Sequence, residues 1–97
     1  MFKITVQYFD PADADAFETA YRERHVPLVQ AVPGLERFTI STPHTGGAPS
    51  LVAELWFADG QALSTARASA EMAAVSADSG TYDVARRIIF AGNVEDL

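Results

Sequence analysis

The sequence predicts a single α+β domain whose strands and helices follow the order βαββαβ. Three observations predict it: a nearly perfect period-two alternation opening the chain, a long stretch of helical spacing after it, and later strand-like runs separated by capped helices and Gly/Pro turns. With 97 residues, the chain fits one domain, 1–97, and no more.

Phe2 to Phe9 alternates, with Phe2, Ile4, Val6 and Tyr8 on one face, the pattern of a half-buried strand. Asp10-Pro11 ends it, and Asp10 or Asp13 can cap the helix that follows. From Ala12 to about Val32 the spacing is helical, with Phe17, Ala20, Tyr21 and Leu28 along one stripe. Pro27 lacks an N–H and crowds the Glu23 carbonyl, so this helix is expected to bend or pause near His25 and Val26. Pro33-Gly34 stops its second piece.

Leu35–Thr42 reads as a second strand and Ser50–Phe57 as a third, joined through the turn-forming run Pro43 to Pro49. The third strand is apolar on both faces, which predicts that both are covered. Asp59 can cap a helix from Gln61 to about Ala68, and Ser69 another to about Ala77, broken by Ser79-Gly80. Arg86 to about Gly92 makes the last strand. No repeat, low-complexity segment or linker interrupts this order. The plan is ferredoxin-like: a four-stranded antiparallel sheet with helices on one face. The other face is expected to expose apolar groups, which a sheet-to-sheet homodimer would cover.

Composition narrows the function. Hydrophobic residues make up 48% of the chain, too many for a disordered segment. A domain this size buries only about 60–65% of its unfolded surface, so a partner would add useful burial. No cysteine is present, which excludes a disulfide framework, a zinc-thiolate site and thiol catalysis. Thirteen acidic against seven basic residues give a net charge of −6, which disfavours nucleic acid as a partner. Apolar runs are too short to span a membrane, and the opening strand shows no signal-peptide pattern, so the expectation is a soluble cytoplasmic protein that binds neither membrane nor nucleic acid.

Among residues that could carry chemistry, no phosphate-binding glycine loop appears, since Gly46-Gly47 lies between strands. His25 and His44 are too far apart for metal-ligand spacing, so no metal site is expected. No nucleophile elbow is present, and a heme would have His25 as its only well-placed axial ligand. His44 falls in a solvated turn, and Asp13 and Asp15 are helix-start charges. His25 lies four residues after Tyr21 and two before Pro27, where an interrupted helix can line a cavity and an imidazole can move a proton. It can equally be a cation favoured at the C-terminal end of a helical piece, and the residues alone favour that structural role. Trp56 is the better candidate of the Trp56-Phe57 pair for a pocket or interface, and Tyr82-Asp83 precede the last strand, within reach of a pocket mouth.

The run Tyr21-Arg22-Glu23-Arg24-His25-Val26-Pro27-Leu28 resembles the Tyr-x-x-x-His-x-Pro-Leu pattern of the EthD family, within the dimeric α+β barrel superfamily. Weaker support comes from the opening strand, Pro33-Gly34-Leu35, Leu55-Trp56-Phe57 and Tyr82-Asp83-Val84. The family is named for ethyl tert-butyl ether degradation. The resemblance implies a homodimer with inward-facing sheets and a helix–sheet pocket in each subunit. The resemblance carries His25 over as the pocket histidine; if the protein is an enzyme, His25 is the expected catalytic residue and Phe17, Tyr21, Trp56 and Tyr82 the expected substrate-binding residues. The first expectation is acid/base chemistry with no cofactor, of monooxygenase, isomerase or dehydratase type, on a small, mostly apolar ligand in a catabolic pathway; a heme-binding variant with His25 as ligand stays open beside it. The alternative is a non-catalytic accessory protein supporting an oxygenase system. The Ala/Ser-rich stretch from Ser69 to Gly80 departs from the family pattern, which bears on pocket size and substrate rather than on fold.

Overall fold

The computed structural model describes residues Met1–Leu97. Its elements are β1 (Phe2–Pro11), α1 (Ala14–Ala20), a π-helical turn (Tyr21–His25), α2 (Val26–Gln30), β2 (Leu35–Ser41), β3 (Leu51–Phe57), α3 (Gly60–Arg67), α4 (Ala70–Ser79) and β4 (Val84–Asn93). The strands form one open antiparallel sheet in the order β2-β3-β1-β4, the ferredoxin-like arrangement. In the central pair, Phe2 faces Phe57 and Tyr8 faces Leu51.

Side-chain caps start the helices where the sequence indicates. Asp13, rather than Asp10, accepts from the Ala16 N–H, Asp59 from that of Ala62, and Ser69 from that of Met72. Asp10 instead carries β1 around a corner at φ 49°, a left-handed conformation that Asp tolerates better than most residues. Gly34, at φ 77°, turns the chain from α2 into β2.

The expected break at His25–Val26 takes a different form. The helix runs on through one widened turn in which the Val26 N–H bonds to the Tyr21 carbonyl, five residues back. That turn absorbs Pro27, which sits in the first turn of α2 where no N–H is needed.

The core lies between the sheet and the helices. Tyr8, Leu51, Leu55 and Phe57 from the strands pack against Phe17, Tyr21, Val29, Leu63 and Val75 from the helices, all buried. Burial alternates strictly along β3, with Leu51, Ala53, Leu55 and Phe57 facing the helices.

The opposite face exposes Phe90 and carries further aromatic rings interleaved with charge. Lys3 and Arg37 lie over the Trp56 ring, Arg86 lies over Phe9, and Lys3 pairs with Glu54 at 2.6 Å. These long side chains spread their apolar stems over the rings and cover part of β3 on this side within the subunit. No helix is long and apolar enough to cross a membrane.

Candidate functional site

A cavity of about 180 Å³ opens between the sheet and the helices, walled mainly by aliphatic side chains from β1, β3, α2 and α4. His25 and Tyr21 line it from the π-helical turn. Both are buried, His25 at 3% exposure, and their rings lie 4.7 Å apart. The widened turn holds both residues on the inner side of the helix, and π-helical turns of this kind are frequent at functional sites.

Behind His25 stands Asp78, in the last turn of α4. Its Oδ2 lies 2.9 Å from His25 Nδ1 and accepts the Tyr82 hydroxyl at 2.7 Å. Its other oxygen accepts from Arg24 Nε, and a second Arg24 nitrogen donates to the Thr81 hydroxyl at 2.9 Å. Burial works against the Asp78 charge, but the hydrogen bonds from Tyr82, Arg24 and His25 outweigh it and hold the carboxyl below its ordinary range. For His25, burial dominates and lowers the pKa below 6.5, opposed in part by Asp78.

An ionised Asp78 beside a neutral imidazole settles the tautomer: Nδ1 carries the hydrogen and donates it to Asp78, leaving Nε2 as a bare lone pair. Nε2 has no protein partner, and no enclosed side-chain nitrogen or oxygen is left unpaired, so Nε2 meets the free space of the cavity. Burial, as the main cause, raises the pKa of Tyr21 well above its ordinary value, which keeps its hydroxyl protonated and able to donate. A little further along the wall, the Tyr8 hydroxyl and Ser79 Oγ lie 2.7 Å apart, and Arg87 donates to the same Ser79 oxygen at 2.7 Å. The site therefore offers one proton acceptor and several donors in an apolar enclosure. No group of three or more His, Cys, Asp or Glu side chains is gathered as for a metal ion.

The structure places the expected residues unequally. Tyr21 shares the cavity wall with His25. Tyr82 stands behind the site, holding Asp78 and stacking edge-on near His25 at 6.0 Å. Phe17 packs in the core against Tyr8 and Tyr82, and with Tyr82 borders a shallow outer groove instead of the cavity. Trp56 lies on the opposite face of the sheet, because strand alternation turns it away from Leu55 and Phe57. His44 and Asp13 lie outside the site, in an exposed loop and at a helix cap.

Sequence reasoning missed Asp78, Ser79 and Arg87. One signal pointed to Asp78: an acidic side chain in the last turn of a helix opposes the helix dipole, and such a position implies compensation from elsewhere in the fold.

An uncharacterized 11.0 kDa protein in the thcB-thcC intergenic region of Rhodococcus erythropolis is 35% identical over 86 residues, covering 84% of each chain. Among solved structures, an ethyl tert-butyl ether degradation (EthD) family protein from Bacillus halodurans superposes with a TM-score of 0.85 at 23% identity, covering 98% of this chain and 99% of the other. SnoaB, a cofactor-independent oxygenase from Streptomyces nogalater, superposes with a TM-score of 0.70 at 15% identity, over 99% and 94% of the two chains. At these identities the two superpositions speak to the fold alone. Residues 10–82 match the EthD domain model, a span that contains Tyr21, His25, Asp78 and Tyr82, and the chain belongs to the EthD family.

Proposed function

We propose that the chain binds a small, mostly apolar metabolite in the cavity and that His25 acts on it as a cofactor-free general acid/base, with Asp78 as the residue that positions the imidazole. One observation carries this reading: a buried, neutral histidine donates Nδ1–H to an ionised carboxylate while its Nε2 faces an apolar cavity without a protein partner. An apolar cavity of about 150 Å³ accommodates benzene, so the space here suits one ring with a small substituent.

In this reading Nε2 removes a proton from carbon or oxygen of the bound molecule. Asp78 stabilises the imidazolium that forms, and the Tyr21 hydroxyl donates to oxygen on which negative charge develops. The proton then returns from Nε2 to a different atom of the product. Proton abstraction of this kind opens isomerase and dehydratase chemistry. It also generates a carbanion, the species from which cofactor-free oxygenation of a small molecule can start. A sheet-to-sheet homodimer belongs to the same proposal: Ile89 beside the cavity mouth and Phe90 on the open face are half-exposed on the edge strand β4.

The test is a chromogenic carbon acid. A nitro-substituted benzisoxazole loses its ring C–H proton to a base, forms a nitrile, breaks its N–O bond and releases a coloured phenolate. The protein is expected to accelerate this elimination, and His25→Gln to lose about 10²- to 10⁴-fold while keeping its fold by circular dichroism. Binding of the probe without turnover would instead support a non-catalytic accessory protein, and unchanged turnover in His25→Gln would remove the histidine from the reaction.

A further inference from the structure

The charge lining the cavity runs opposite to that of the chain. None of the thirteen acidic residues lines it, yet two arginines do, Arg67 from the end of α3 and Arg87 from β4. The chain has seven lysines and arginines. Lys3, Arg22 and Arg24 pair with carboxylates, and Arg37 and Arg86 lie over aromatic rings. Arg67 and Arg87 have neither kind of partner, and both are exposed side chains that border this one cavity. Arg87 is also held in place: its Nη1 donates to Ser79 Oγ, itself 2.7 Å from the Tyr8 hydroxyl, and its remaining N–H groups are left for a ligand.

We infer that the cavity selects a small apolar molecule carrying one carboxylate, with the carboxylate docked on Arg87 and Arg67 and the apolar body beside Tyr21 and His25. The planar guanidinium fork matches a carboxylate with two parallel N–H···O bonds, which favours this head over a neutral one of the same shape. The aliphatic wall takes the remainder of the molecule and offers no further cation to pair with a second charge. The inference rests on the proposal that the cavity is the ligand site, and it adds the class of ligand and the residues that choose it.

Benzoate and its neutral isostere benzamide separate the possibilities. Titrations followed by protein NMR are expected to show benzoate binding about 10- to 100-fold more tightly, the value of hydrogen bonds to a charged group, with shifts at Tyr21 and His25. In Arg87→Ala that preference should largely disappear while benzamide affinity stays, Arg87→Lys should restore part of it, and added salt should weaken benzoate alone. Equal binding of the two ligands at Tyr21 and His25, or a benzoate preference that survives in Arg67→Ala/Arg87→Ala, would overturn the carboxylate assignment and leave the cavity site standing. Absence of shifts at Tyr21 and His25 with either ligand would overturn both.

Discussion

Asp78→Asn is the most informative single change, because it keeps the shape of the side chain and removes only the charge. Oδ1 of Asp78 faces the Arg24 guanidinium, so the amide oxygen of Asn will occupy that side. Its NH₂ group then sits where Oδ2 was, 2.9 Å from His25 Nδ1 and 2.7 Å from the Tyr82 hydroxyl. An NH₂ group donates, so Nδ1 must accept, and the imidazole hydrogen moves to Nε2. The cavity then faces an N–H instead of a lone pair. Loss of a general base lowers rates by about 10²- to 10⁴-fold, or about 2.7–5.4 kcal/mol of barrier.

The effect on stability is smaller. Two buried charge-assisted bonds become neutral ones, at about 1–2 kcal/mol in sum. Each kcal/mol moves the midpoint of a domain this size by about 4–8 °C. Elimination rates with the benzisoxazole and a thermal melt, run on the same sample, separate the two effects. Retention of the wild-type rate in folded Asp78→Asn would refute the assignment of the tautomer to Asp78.

Further outcomes follow from the same geometry. Tyr82→Phe removes one donor from Asp78, so the carboxyl should become easier to protonate and thermal stability should fall by about 1 kcal/mol, read from denaturant midpoints. Stability itself should fall on acidification below pH 6.5. His25 binds its proton more weakly folded than unfolded, so the unfolded chain takes up more protons there, and Asp78 adds a loss of the same sign below pH 3.8; urea melts across this range check it, and a flat profile contradicts it. Ala53→Leu grows a side chain from β3 into the cavity and should exclude benzamide and benzoate while leaving the melting midpoint within a few degrees, measured by NMR titration and calorimetry.

The order of elements was legible because each start and stop has a local cause: the alternation of Phe2 to Tyr8, the caps Asp59 and Ser69, the turn at Pro33-Gly34. His25 was legible through the Tyr21–Leu28 run. The π-helical turn was not, because proline chemistry predicts a disturbance at Pro27 but does not choose between a kink and a widened turn. Asp78 was hidden by distance, since it lies 53 residues from His25 and the contact exists only once α4 packs across the π-helical turn. Trp56 alternates with Leu55, so strand parity sets it on the sheet face turned away from the helices, beside Glu54, where it is placed for an interface rather than for the cavity wall.

Heteronuclear NMR of the His25 ring nitrogens reads tautomer and titration on the same atoms. The spectra should show hydrogen on Nδ1, a bare Nε2 at neutral pH, and a midpoint below 6.5. Hydrogen on Nε2, or an imidazole still protonated at pH 7, would contradict His25 as the general base.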